Sequence, residues 1–310
     1  ISALKVIEEA GIPIDYVIGT SMGSLIGALY SIGYTTTQID SLVRCQDWTF
    51  LFTDASSNEN ESLSKREKSG QYVLTVPFHK NPADLLTGGG VIQGRNITTL
   101  FSKLTEDYHD SIDFNKLPIP YACVAYDISK GKEYVFHSGK LAVAMRSSMS
   151  IPGVFYPVKW NNMVLVDGGL SDNYPVDVAK KMGADIVIGV DVTDTLSSAN
   201  EINTLSGVIG QIVNIFCANK YEENVKNSDV HIKVNIDGYS AASFNPAAID
   251  TLMKRGEFAA YQKWAELKLL KEKIGLTAYD IVPERKTYHL PKSSKAQIVK
   301  EIYPDNKPDN

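Results

Sequence analysis

The sequence predicts an α/β fold, with a mostly parallel central sheet and helices packed on both of its faces. Three observations carry that expectation. In residues 14–34, IDYVIGTSMGSLIGALYSIGY, a short apolar run from Asp15 to Ile18 passes through Gly19-Thr20-Ser21-Met22-Gly23 straight into an apolar helical stretch, Ser24 to Ile32. Apolar runs of strand length then recur at Pro118–Tyr126, Met163–Val166 and Asp185–Val192, separated by segments with helical periodicity and helix stop signals. Repeated alternation of strand and helix calls for crossover connections, which favour parallel pairing and cover both sheet faces.

A chain of 310 residues, 44% of them apolar, is long enough for one large domain with a substantial core. Its net charge of -5 argues against nucleic acid as the main partner. Cys45, Cys123 and Cys217 lie far apart without metal-ligand spacing; one chance pair aside, they are expected as small apolar core residues.

In chain order, the sequence opens at Ile1 inside a helix marked by Leu4 and Ile7, which Gly11 stops ahead of Pro13. No charge lies between Asp15 and Asp40, yet four glycines and a strand-to-helix switch argue against a membrane span there. Gly33 stops the helix of the opening stretch, and Thr35 to Thr37 offer a cap for the next, through Leu42. Asp47 to Phe52 concentrates aromatic residues that either pack at the sheet edge or rim a lipid-binding cleft. Residues 55–70 read as a solvated loop or a flap, and Tyr72–Phe78 as a strand. Gly88-Gly89-Gly90 lacks the spacing of a nucleotide-binding loop.

A helix is expected over Ile97–Leu104, and a strand pair from Pro118–Tyr126 and Lys132–His137. Ser138 is expected to cap a helix through Ala142 to Arg146, ahead of strands at Val154–Trp160 and Met163–Val166. A helix begins at Asn173-Tyr174-Pro175 and ends at Gly183. Gly207–Val225 reads as an amphipathic helix burying Val208, Ile209, Ile212, Ile215 and Phe216. Val230–Ile236 alternates, with His231, Lys233 and Asn235 on its wet face. One long helix runs from Asn245-Pro246 to Gly275, burying Ile249, Met253, Gly256, Ala260, Trp264 and Leu267. Composition shifts to Pro, Lys and Ser beyond Pro283, so residues 1–283 read as one domain and 284–310 as a linker or the start of another module.

Gly-x-Ser-x-Gly set between strand and helix is the nucleophile-elbow pattern, in which the turn lifts a serine hydroxyl clear of the sheet beside helix N-terminal amides. A serine needs a base. Of the five histidines, His79, His109, His137, His231 and His289, His231 falls on a wet strand face and His289 in a basic tail, so neither reads as the base of a Ser–acid–His triad. A partly desolvated carboxylate serves as well. Asp167, at the end of an apolar strand and followed by Gly168 and Gly169, belongs on the sheet edge where Ser21 emerges. From the residues alone, Ser21 in an inert structural turn and Asp167-Gly168 as a plain turn remain open.

Taken together these residues resemble the patatin-like phospholipases, which are Ser–Asp lipid acyl hydrolases. Four blocks carry the resemblance in order: ALKVIEEAGIPIDYVIGTSMGSLIGALYSIGY, LPIPYACVAYDISKG, AMRSSMSIPGVFYPV and VLVDGGLSDNYPVDVAKKMGADIVIGVDV. The resemblance implies a three-layer α/β/α patatin-like fold with Ser21 as nucleophile in the elbow Gly19, Thr20, Met22, Gly23. It implies Asp167 as the dyad base in an Asp-Gly-Gly motif with Gly168 and Gly169. No metal or organic cofactor is implied, and the substrate would be a phospholipid or other acyl-ester lipid at a membrane or micelle surface. The family's glycine-rich oxyanion loop and its strand would precede Ile1. A soluble short-chain esterase or thioesterase, and a non-catalytic passenger or membrane-binding module, are the alternatives. DGYSAASFNPAAIDTLMKRGEFAA and KAQIVKEIYPDN also resemble a bacterial branch that continues into an outer-membrane barrel. That branch implies an exported, outer-membrane-associated or secreted protein, with a cytoplasmic one as the alternative.

Overall fold

The computed structural model describes residues 1–54, 92–193, 205–239 and 243–276. The expected loop 55–70, the strand Tyr72–Phe78, Gly88 to Gly90 and the tail from 284 lie outside the described residues. The elements are α1 (Ser2–Glu9), β1 (Val17–Thr20), α2 (Met22–Ser31), α3 (Thr36–Cys45), α4 (Trp48–Leu51), α5 (Arg95–Leu104) and β2 (Ile112–Asp113). They continue with β3 (Tyr121–Asp127), β4 (Lys132–Phe136), β5 (Ser138–Gly139), α6 (Leu141–Ser148), β6 (Val158–Trp160), β7 (Met163–Asp167) and α7 (Val176–Lys181). Then come β8 (Ile188–Asp191), α8 (Leu205–Asn227), β9 (Val230–Lys233), α9 (Pro246–Gln262) and α10 (Trp264–Lys273).

Local chemistry sets several boundaries. Thr35 and Gln38 form a reciprocal capping box at the start of α3, satisfying two amides that would otherwise lack acceptors. Asn245 accepts from the Ala248 amide, and Pro246, whose missing N–H costs nothing in a first turn, opens α9. Gly33, at φ 110°, ends α2 in a conformation open to glycine and lets Tyr34 N–H close on the Leu29 carbonyl at 3.0 Å.

Strand parity reveals three layers. Along β3, Tyr121, Cys123 and Ala125 enter one core with Leu25, Ala28, Leu141 and Met145 of α2 and α6. The alternate residues Ala122 and Val124 pack instead on Val178 of α7. In β1, Val17 likewise joins the first core while Ile18 faces Tyr174, Val176 and Val178. Because successive side chains of a strand point to opposite faces, helices must cover both sides of this sheet. A separate core joins Val6 and Ile7 of α1 to Ile232 of β9, Ala260 of α9 and Leu267 of α10.

The sheet is mixed. β1 pairs parallel with β3, while β8 and β9 form a separate parallel two-stranded sheet. β4 and β7 both run antiparallel to β3, and β6 antiparallel to β7. Short connections account for the β3–β4 and β6–β7 pairs, since two strands joined by a tight turn can only reverse. Asn161 and Asn162, both at positive φ, form such a two-residue turn between β6 and β7.

Several expectations need correction. Ser138 does not cap α6: it pairs in β5 with Asp113 of β2, Gly139 turns the chain at φ 117°, and Lys140 precedes the helix. Of the expected strand 154–160, only Val158–Trp160 is a strand, because Val154 and Tyr156 exchange hydrogen bonds with Ile92 instead. Cys45 is exposed at the end of α3, although Cys123 is buried. The long helix breaks at Lys263, whose side chain turns to Glu266 at 2.8 Å. Val208 and Ile215 are exposed rather than buried, and the side chains of Ile209, Ile212 and Phe216 lie outside the described residues; the C-terminal half of α8 docks through Tyr221 and Val225 and through Lys220 and Asn224. Trp48 is buried and stacks on Phe52 and Phe244, the packing alternative for that aromatic stretch.

Candidate active site

The turn after β1 is tight enough to dictate its residues. Ser21 sits at φ 53°, ψ -123°, a backbone state rarely open to a side chain, and α2 opens at the next residue. A Cβ on Gly19 would lie 2.4 Å from the carbonyl carbon and oxygen of Gly23, so the strand end touches the first helical turn there. At Gly23, by contrast, a Cβ meets nothing within 4 Å. The close approach therefore requires glycine at 19 and leaves 23 free on steric grounds. Ser24 donates to the Ser21 carbonyl at 2.6 Å, and Tyr121 to the Ser24 carbonyl at 2.8 Å, tying the turn to β3.

Ser21 Oγ donates to Asp167 Oδ2 at 2.6 Å. The other carboxylate oxygen, Oδ1, accepts the Gly169 amide at 2.8 Å, and the Asp167 amide donates to the Ser150 carbonyl at 2.9 Å. Gly168 is forced at this turn, since a Cβ would sit 2.2 Å from the Val124 carbonyl oxygen. The two side chains meet by a route that differs from the sequence expectation. A shared carboxyl edge of parallel strands was expected to present both, but β7 is antiparallel to β3. β1 covers the first half of β3, ending with Thr20 opposite Val124. β7 covers the second half, ending with Asp167 opposite Ala125. Ser21 and Asp167 therefore arrive from opposite directions at the same level of β3.

Burial governs the electrostatics. Asp167 is 6% exposed, and desolvation pushes its carboxyl up to about 6, against hydrogen bonds from Ser21 and the Gly169 amide that favour the charged form. A carboxylate with that affinity is a competent proton acceptor near neutral pH. Met22 and Gly23, in the first turn of α2, belong to the helix-start amides that have no intrahelical acceptor and favour negative charge.

A model of the patatin-like phospholipase family matches residues 1–180. The chain belongs to that family, whose members are lipid ester hydrolases. It is 32% identical over 195 residues to the human patatin-like phospholipase domain-containing protein 6, covering 62% of this chain and 12% of that protein. To the lysophospholipase NTE1 of Meyerozyma guilliermondii it is 30% identical over 203 residues, covering 65% of this chain and 12% of that one. To the neuropathy target esterase sws of Drosophila melanogaster it is 28% identical over 272 residues, 79% of this chain and 17% of that one. The chain thus spans less than a fifth of the length of these relatives.

Sequence reasoning missed the polar groups behind the pair. Ser148, buried at the end of α6, accepts the Ser21 amide at 2.9 Å and donates to the Val124 carbonyl at 2.6 Å. Asp172 accepts the Thr20 hydroxyl on its carbonyl at 2.7 Å, while its carboxylate meets Asn224 and, at 2.8 Å, Lys220 of α8. Burial pushes Asp172 up to about 7, helped by a hydrogen bond with Asp177 and resisted by Lys220. Asp177 is also penalised by burial, yet its hydrogen bonds to Asp172 and Lys181 hold it below the usual carboxylate range. The only sequence signal for this network was two acids, Asp172 and Asp177, shortly after Asp167.

His231 is half-buried rather than a plain surface residue. Its Nε2 lies 2.8 Å from Asp191 Oδ2, and its ring packs against Tyr174. Lys233 and Asn235 are exposed as expected. Among the described residues no group of three or more His, Cys, Asp or Glu is placed to hold a metal ion, and no helix is long and apolar enough to cross a membrane.

Proposed function

We propose that this domain is a lipid acyl hydrolase working through a Ser21–Asp167 dyad. The observation that carries the reading is the 2.6 Å hydrogen bond from the hydroxyl of Ser21, held in a strained elbow, to the buried carboxylate of Asp167. Asp167 accepts the hydroxyl proton as Ser21 Oγ attacks the ester carbonyl, and the oxyanion forms beside the N-terminus of α2. Asp167 then passes that proton to the departing alcohol, leaving an acyl-enzyme. A water gives its proton to Asp167 and attacks the acyl carbonyl; the fatty acid leaves, and Ser21 recovers its proton.

The relatives named as a lysophospholipase and a neuropathy target esterase support a lipid ester as substrate. Export to the outer membrane would follow from the bacterial branch that residues 237–260 and 295–306 resemble, and the chemistry does not depend on it. The test is hydrolysis by the full-length protein of lysophosphatidylcholine micelles beside a soluble butyrate ester. Ser21→Ala and Asp167→Asn are each expected to lower kcat by roughly 1000-fold or more. Undiminished turnover in either variant overturns the dyad, and preference for the soluble ester would favour a short-chain esterase.

A further inference from the structure

We propose that Ser148 is a positioning residue for the nucleophile: its hydroxyl replaces a rung of the β1–β3 ladder and thereby sets Ser21 at proton-transfer distance from Asp167. The inference rests on the dyad reading. In a parallel pair, every second residue of one strand donates to the other. Val17 N–H donates to the Pro120 carbonyl at 2.9 Å, and the register runs Val17–Tyr121 through Thr20–Val124. The same phase brings Gly19 N–H to the Ala122 carbonyl and would next bring Ser21 N–H to the Val124 carbonyl. Those last two groups do not meet. Ser21 N–H donates instead to Ser148 Oγ at 2.9 Å, and that hydroxyl donates to the Val124 carbonyl at 2.6 Å.

The hydroxyl is thus a wedge one atom thick. It satisfies both backbone groups of the interrupted rung; Val124 and Ser148 are fully buried and Ser21 partly so, and the Val124 carbonyl in particular would otherwise be orphaned. It also holds the chain off β3 at the point where Ser21 departs from strand geometry to φ 53°. Two residues further on, the Ser150 carbonyl accepts the Asp167 amide at 2.9 Å, and Arg146 holds the Ser150 hydroxyl at 2.5 Å. One short segment therefore fixes the backbone of both members of the pair. Ser147 provides a contrast. It is equally buried, but its hydroxyl donates only to the Val143 carbonyl of its own helix at 2.8 Å.

The experiment compares Ser148→Ala with Ser147→Ala in the full-length protein. Active sites are counted with a fluorophosphonate, and kcat, KM and the pH profile are measured per titrated site. A displacement of the nucleophile of order an ångström costs on the order of 10- to 100-fold, so Ser148→Ala should lose that much kcat with KM within about twofold, and Ser147→Ala should lose little. The acid limb of kcat/KM should also move to higher pH in Ser148→Ala, because the hydrogen bond from Ser21 is one of the contacts that favour ionised Asp167. Equal kcat in the two variants, or an unmoved acid limb with only fewer titratable sites, overturns the proposal. Should Ser148→Ala fail to fold, Ser148→Cys keeps the volume with a poor acceptor, and a wild-type rate and pH profile there overturns it equally. Ser21→Ala separates the two readings. If it stays active, the nucleophile assignment and the positioning role fall together; if it is dead while Ser148→Ala matches Ser147→Ala, only the positioning role falls.

Discussion

Asp167 carries opposing demands on one carboxyl. Its unfolded-state affinity is that of an ordinary aspartate, 3.8, and burial raises it to about 6 in the fold. Between those values the folded chain holds a proton that the unfolded chain has released, so the stability present below the lower value is lost as pH rises through the upper one. A rise of that size costs the fold roughly 3 kcal/mol once the pH exceeds the upper value. Asp167→Asn removes that charge while keeping an amide that fits between Ser21 and the Gly169 amide. Thermal melts should show the variant more stable than wild type at pH 8 by about 1–3 kcal/mol, with the gain gone near pH 4. Equal or lower stability at pH 8 would contradict the account. Wild-type kcat/KM should in turn fall as pH drops through about 6, where the proposed base is protonated. Ser21 and Asp167 were legible because glycines mark the turns that present them, at Gly19 and Gly168. Ser148 and Ser150 were not legible, because they act through backbone groups and no spacing rule marks such contacts.

At the scale of elements, the turn-forming and capping signals were readable and the pairing directions were less so. The elbow, the hairpin of β3 and β4 and the Asn245-Pro246 start of α9 are local, and local chemistry specifies them. The antiparallel arrival of β7 depends on the Asn161-Asn162 turn and on which half of β3 is vacant, which periodicity does not encode. The docking of α8 is a second case. Lys220 reaches Glu133 at 2.7 Å, Asp172 at 2.8 Å and Asp177 at 3.2 Å, so a cation gathers three acids from separate segments. Removing one partner of a buried ion pair leaves the other charge uncompensated, so Lys220→Met should destabilise by about 3 kcal/mol at pH 8. The loss should shrink at pH 5.5, because Asp172, pushed up to about 7, then carries a proton and needs no cation. Adding Asp172→Asn should recover part of the loss at pH 8. Urea titrations at the two pH values check this, and a pH-independent loss would show that the contribution of Lys220 does not run through Asp172.

For the whole molecule, the three-layer arrangement separates the core that holds the candidate site from the core that closes the fold around α1. Strand alternation made the layers foreseeable, since Ala122 and Val124 face one side and Tyr121 and Cys123 the other. The second core was harder to foresee, because it joins Val6 near the start of the chain to Ile232 and Leu267 far along it. Leu267 is fully buried there, among residues of α1, β9 and α9, none of which contributes a hydrogen bond to Ser21 or Asp167. Leu165 is also fully buried, but lies in β7 two residues before Asp167, in register with Val158 and Asp127. Truncating a buried leucine costs about 2–5 kcal/mol wherever it lies, so Leu267→Ala and Leu165→Ala should lower the melting temperature comparably. Their catalytic effects should differ. A cavity under β7 lets the strand end relax and moves Asp167, whereas one in the second core leaves β1, β3 and β7 in place. Turnover per fluorophosphonate-titrated site should therefore be unchanged in Leu267→Ala and reduced in Leu165→Ala. Equal losses per site would mean that the two cores respond as one body and that the dyad depends on the packing of the entire chain.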